Sequence, residues 1–182
     1  ITKMSINIEN IFDVIPNLNY INKDGVFESL CLVNSAFPDT EFYKTLIQGY
    51  PGFYLVLKKI FSVEVNNKGK FDAPVLMYLG KDFPNSAPEV FLYIENGRDI
   101  TKIAANVNNV FINKSTFEIR TQLLMYWDKN TSIADIFSEL ESSFRSNFPI
   151  VGMKEKQNNN PSMKCYLKFI SKVTFSSNDN TG

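Results

Sequence analysis

The chain has 182 residues and not one histidine, two cysteines, a single tryptophan and a formal net charge of zero. Without histidine there can be no Ser-His-Asp triad, no Cys-His pair and no histidine-ligated zinc, so several enzyme classes are excluded at once. Cys31 and Cys165 lie far apart and offer neither a disulfide framework nor metal-ligand spacing. Both read as reduced, structural thiols. Nineteen basic and nineteen acidic residues are spread without long runs, which leaves no electrostatic footprint for nucleic acid or an anionic membrane. No apolar run approaches the ~18 residues needed for a transmembrane segment, and ITKMSINIEN lacks a basic n-region followed by an apolar h-region. A soluble, cytoplasmic protein is expected. The eight glycines are scattered as turn residues, no Gly-rich phosphate loop is visible, and no acidic cluster has metal spacing. Glu118, Glu139 and Glu141 read as solvated charges, and no cofactor is expected.

What is abundant is aromatic and aliphatic bulk. With 44% hydrophobic and 14% aromatic residues, 16 of them Phe and eight Tyr, the chain can bury one sizeable core. The most informative stretch is KFDAPVLMYLGKDFPNSAPEVFLYI, Lys70 to Ile94. Phe71, Ala73, Val75, Met77 and Leu79 alternate on one face, while Leu76 and Tyr78 add bulk to the other, as in a strand covered on both sides. Pro88 to Ile94 repeats the pattern, with Val90, Leu92 and Ile94 against Phe91 and Tyr93. The two segments predict an antiparallel meander, and Pro84 and Pro88 predict a stiff, ordered connection in place of a tight hairpin.

The flanking segments are less even. The first 38 residues mix helical and strand periods, are broken by Pro16 and Gly25, and read as an added element. Asp39 or Thr40 can cap a helix with Phe42, Tyr43, Leu46 and Ile47 as its stripe, ended by Gly49 and Pro51. GFYLVLKKIFSVEVNN reads as a strand and NNKG as a turn. ENGRDITKIAANVNNVFINKST, rich in asparagine, predicts a long, mostly irregular loop with functional potential. Ser132 caps the best helix, with Asp135 three residues on and Ile133, Ile136, Phe137, Leu140 and Phe144 on one face. Trp127 before it reads as a packing anchor. Beyond Gly152, KEKQNNN reads as flexible, SMKCYLKFISKVTF as one more short helix or strand, and SSNDNTG as disordered.

FPNSAP has the aromatic-Pro-x-x-x-Pro form found between the third and fourth strands of the ubiquitin-conjugating fold. FDAPVLMYLGKDFPNSAPEVFLYI resembles that region of the catalytically inactive ubiquitin E2 variant (UEV) domains. LLMYWDKNTSIADIFSELESSFRSNFP is similar to the Leu-x-x-Trp loop, Ser-started helix and Phe- and Pro-containing end of the UEV domain of the ESCRT-I subunit. The implied fold is α+β, an antiparallel meander sheet flanked by helices. The implied domain limits are an N-terminal extension at 1–38, a UEV-like domain at 39–152 and a C-terminal extension at 153–182. An active ubiquitin-conjugating enzyme carries a thiolate after the fourth strand, usually preceded by a His-Pro-Asn triplet. Between Glu95 and Trp127 there is neither cysteine nor histidine, so no catalysis is expected.

The resemblance implies two recognition surfaces, one for ubiquitin and one for a proline-containing peptide, in an adaptor for endosomal protein transport that meets other ESCRT subunits. On the ubiquitin side, Phe91 matches a family phenylalanine, Tyr78 replaces a tryptophan, and Asn66 and Asn67 match the Asn-Asp of the hairpin that embraces ubiquitin. On the peptide side, Phe71 replaces a tyrosine of the groove, Asp72 follows it, Pro149 matches a proline on the other wall, and Gly152 stands where the family has an aromatic. The family also places another strand between the positions of Asn66 and Phe71, so either that hairpin is trimmed here or the strand comes from earlier in the chain. Two alternatives share the loop motif: an RWD-like protein-interaction module, and a non-catalytic partner of an active conjugating enzyme.

Overall fold

The computed structural model describes residues 11–47, 51–65, 69–93, 103–106, 109–152 and 173–175. At its centre β2 (Phe53–Val65) and β3 (Gly69–Leu79) form a long antiparallel hairpin, paired from Leu55↔Leu79 to Val65↔Gly69. Gly69 has φ +102°, a left-handed conformation that a Cβ would disfavour. β1 (Glu41–Ile47) flanks β2 and β4 (Glu89–Leu92) flanks β3, which makes β1 to β4 an antiparallel meander. Two short strands extend it, β6 (Glu118–Ile119) beyond β4 and β8 (Val173–Phe175) beyond β1, giving the order β6-β4-β3-β2-β1-β8. A separate ladder joins β5 (Ile103–Ala105) to β7 (Ile150–Gly152).

Alternation along the strands sends Leu55, Leu57, Phe61 and Val63 of β2 and Ala73, Val75, Met77 and Leu79 of β3 to one face, where all are buried. After the short helix α1 (Ile11–Val14), two longer helices cover this inner face, α2 (Lys23–Ala36) and α4 (Ile133–Ser146). The capping box foreseen at Ser132 is formed: its side chain accepts from the Asp135 amide, and the Asp135 carboxylate accepts from the Ser132 amide. Ile133, Ile136, Phe137, Leu140 and Phe144 of α4 are buried. Phe61 meets Phe137 and Phe144 edge-on, with ring centroids 5.7 and 5.5 Å apart. Such pairs contribute about 0.5–1.5 kcal/mol each beyond the area they bury.

The connection between β3 and β4 is as ordered as its prolines suggest. The Phe83–Pro84 peptide is cis. Trp127, which follows the short helix α3 (Gln122–Met125), donates from Nε1 to the Pro84 carbonyl at 2.7 Å and lays its ring on Phe83 at 5.7 Å. It anchors packing, as its place before the capped helix suggested. Gly25, in the first turn of α2, lets that helix approach the same loop, since a Cβ there would stand 2.9 Å from the Pro84 ring.

Two expectations need correction. Residues 39–47 form strand β1 and not a helix: Phe42, Tyr43, Leu46 and Ile47 fit a helical stripe, but Thr45 between them is fully buried and Glu41 to Leu46 pair with β2. The Gly-Pro signal that seemed to stop a helix lies in the connection between two strands. The helix is upstream, in the stretch that looked mixed. There Asn22 caps α2, its side chain accepting from the Gly25 amide at 2.9 Å, and Val26, Leu30 and Val33 are buried in the common core with Ile15, Leu18 and Tyr20. The boundary expected at residue 38 therefore runs between two elements of one core. A further strand, β1, comes from earlier in the chain and pairs with β2. The asparagine-rich loop, expected to be mostly irregular, holds the three-residue strand β5, which pairs with β7. The segments NNKG, KEKQNNN and SSNDNTG lie wholly or mostly outside the described residues, whereas the apolar C-terminal stretch contributes strand β8.

Tyr20 ties the N-terminal segment to the sheet. Its hydroxyl accepts from the Leu55 amide and donates to the Leu79 carbonyl, both at 2.8 Å, so it bridges a residue pair at the end of the hairpin. Burial pushes its phenol far above the ordinary value, so it remains a donor.

Candidate functional site

The face of the sheet away from the helices carries two of the residues expected to meet ubiquitin, Tyr78 and Phe91. Tyr78 pairs with Val56 on one side and Glu89 on the other; Leu76 pairs with Lys58 and Phe91; Phe91 pairs with Glu118. Pleating places all of these on one outer face. Tyr78 and Phe91, expected from resemblance, are diagonal neighbours across β3 and β4 and are half-buried. Between and beside them Val56 and Leu76 are buried, and Tyr54 packs edge-on against Tyr78 at 5.8 Å. The Lys58 ammonium lies 5.5 Å from the centroid of Tyr93 on the same face. Asn66 and Asn67 lie outside the described residues. Their neighbour Val65 is seven positions along β2 from Lys58, which at the rise of a strand is roughly 23 Å from the Leu76–Phe91 row.

The residues expected in a peptide groove are divided between two faces. Phe71 is on the inner face at the far end of the hairpin, 43% exposed, with its ring 5.8 Å from that of Phe148. Asp72, the next residue, points to the outer face and accepts a 2.6 Å hydrogen bond from Ser62 Oγ. Pro149 is buried. Two asparagines hold this wall in place. Asn106 donates from its backbone to the Pro149 carbonyl at 2.8 Å and from Nδ2 to the Phe148 carbonyl at 2.7 Å. Asn109, only 3% exposed, donates from Nδ2 to the Asn147 carbonyl at 2.8 Å and to Ser143 Oγ at 3.2 Å, and accepts from the Phe111 amide at 3.2 Å. The asparagine-rich loop thereby clamps the chain that leaves α4. Among the described residues no group of three or more His, Cys, Asp or Glu side chains could hold a metal ion.

Known structures share this arrangement of sheet and helices. The yeast Vps23 UEV domain, solved with a Vps27 PSDP peptide, superposes with a TM-score of 0.59 at 18% identity, over 78% of this chain and 94% of that one. The chain has a UEV fold. The Vps23 UEV solved in a complex with ubiquitin gives a TM-score of 0.58 at 19% identity, over 74% of this chain and 89% of the other. No family model and no curated protein sequence matches the chain. The likeness therefore lies in the path of the backbone, and what was legible as sequence resemblance is confined to the loop, the sheet and the capped helix.

Within this UEV fold the structure brings Tyr78 and Phe91 together, leaves Asp72 on the opposite face from Phe71, and joins Phe71 to Phe148, which precedes Pro149. Sequence reasoning missed Phe148, Asn106 and Asn109. A phenylalanine just after a helix marks no face of its own, and one buried asparagine in an asparagine-rich loop has no signature before the fold is known. It also set aside Glu118 as a solvated charge, although this residue adjoins Phe91 across the β4–β6 pair.

Proposed function

We propose that the chain is a non-catalytic adaptor that binds ubiquitin on the outer face of its sheet, through Tyr78 and Phe91 with Asn66 and Asn67 at the hairpin end, in endosomal protein transport. One observation carries this: the two aromatics identified by resemblance lie side by side on one face, in a fold shared with a domain solved with ubiquitin. A half-buried aromatic pair on a rigid sheet suits a modest apolar contact. A proline-containing peptide would use the other end and the other face, where Phe71 and Phe148 offer aromatic surface and Pro149 closes the wall; Asp72, on the outer face and bonded to Ser62, lies outside this surface. Because the two surfaces lie on opposite faces, both ligands can be held at once, as sorting of modified cargo by a multisubunit complex requires. No described helix is long and apolar enough to cross a membrane, and recruitment to endosomes would come through partners such as other ESCRT subunits.

Titration of isotope-labelled chain with ubiquitin tests the proposal. Shifts centred on Tyr78 and Phe91 are expected, with Phe91→Ala weakening binding at least ten-fold as the loss of an aromatic anchor. No shifts at millimolar ubiquitin would remove ubiquitin binding from the proposal, and titration with a proline-motif peptide examines the Phe71–Phe148 surface separately.

A further inference from the structure

A cavity of about 240 Å³ opens at the edge of the sheet, where the start of β4, the two-residue strand β6 and helix α3 meet. Pro88, Leu124 and Met125 give it apolar walls, and Glu89, Glu118 and Arg120 line it with charge. The carboxylates belong to the outer face: Glu89 pairs with Tyr78 and Glu118 with Phe91, so the cavity continues the aromatic pair and is not a separate feature. The two carboxylates are not equivalent. Glu118 is already engaged, accepting from Arg120 Nε at 3.0 Å and from its terminal nitrogen at 3.1 Å. Glu89 makes no hydrogen bond or ion pair among the described side chains. Glu89 is exposed, yet partial withdrawal from water and then the Glu118 charge raise the cost of ionising it, and Arg120 offsets part of this. The local charge of two carboxylates and one guanidinium lacks one cation.

We infer that this cavity receives a lysine or arginine side chain of the partner that seats an apolar residue on Tyr78 and Phe91, with Glu89 accepting the cation. Pro88, Leu124 and Met125 cover the aliphatic stem of that side chain, as long basic residues bury their methylenes while the charged head stays polar. The edge thus selects partners in which a basic side chain borders an apolar patch, and it raises the rate of encounter with them. The inference rests on the ubiquitin-binding proposal and names what that surface discriminates.

The test is titration of ubiquitin into wild type, Glu89→Gln, Glu89→Lys and Phe91→Ala at low and high salt, with circular dichroism confirming that each variant folds. Glu89→Gln is expected to weaken binding about three-fold and to flatten its salt dependence, and Glu89→Lys to weaken it about ten-fold. Ubiquitin with its lysine amines acetylated or its arginines blocked should, in one of the two forms, bind wild type more weakly while leaving the Glu89→Gln affinity unchanged. If Glu89→Lys binds like wild type while Phe91→Ala fails to bind, the cavity has no part in recognition although the aromatic face does. If wild type shows no binding to ubiquitin, both the face and the cavity assignments fall.

Discussion

Asn109 offers a demanding test of how the fold builds its second surface. Replacing it with alanine removes one hydrogen bond of 2.8 Å and two of 3.2 Å, the latter at the long end of the normal range. At about 0.5–1.5 kcal/mol net for each bond, with the long ones at the lower end, the loss is about 2–3 kcal/mol. That is a large fraction of the ~5–15 kcal/mol that holds a domain together. In urea the midpoint should fall by about 1 M, since domains of this kind lose roughly 1–3 kcal/mol per molar urea. The isosteric Asn109→Asp separates hydrogen bonding from packing. An ionised carboxylate keeps the acceptor for the Phe111 amide but turns an oxygen toward the Asn147 carbonyl, in a place that is 3% exposed. Burial raises the pKa of such a group above its unfolded value, so its folded state gains relative stability as pH falls and the carboxyl becomes a donor. Asn109→Asp should therefore cost more than Asn109→Ala at about pH 7 and less at about pH 4. Hydrogen exchange at the Asn106 amide, which bonds to the Pro149 carbonyl, should quicken in both variants while the β2–β3 amides hold. An Asn109→Asp cost that equals that of alanine and is flat with pH would refute the hydrogen-bond account of the clamp.

Two further outcomes follow from the same geometry. Ser132→Ala removes the acceptor for the Asp135 amide at the start of α4 and should lower stability by about 1 kcal/mol in urea denaturation, with Ser132→Asp restoring most of it. Glu89→Gln should stabilise the free chain at about pH 7, a gain read as a higher thermal midpoint. Desolvation, then Glu118, holds the Glu89 carboxyl above its ordinary pKa against the opposing Arg120. A folded-state pKa above the unfolded one means that the ionised form detracts from stability, and that this deficit vanishes once the pH falls below the unfolded value. The advantage of Glu89→Gln should then be lost at about pH 3. A variant that is more stable yet binds more weakly would mark Glu89 as a residue kept for recognition.

Much of this protein follows from local pattern alone. Period-2 alternation in Lys70 to Ile94 reports strands covered on both sides, because a strand in the middle of a sheet meets a layer on each face. Ser132 with Asp135 ahead of an apolar stripe reports helix α4, because capping and amphipathicity act within a few residues. The absence of histidine excludes whole classes of chemistry with no structure at all. Only the tertiary fold decided the remainder. Phe42, Tyr43, Leu46 and Ile47 satisfy a helix and a strand equally, and pairing with β2 selects the strand. Lys23–Ala36 looked mixed because Gly25 sits in its first turn, where packing against the Pro84 loop requires it. Phe71 and Asp72 are neighbours in sequence, yet pleating sends one to Phe148 and the other to Ser62. Glu89 is an ordinary carboxylate in the sequence; the ladder places it beside Tyr78, and partial desolvation with the nearby Glu118 charge resists its ionisation. Composition and spacing act through local geometry, whereas faces, neighbours and desolvation belong to the assembled sheet.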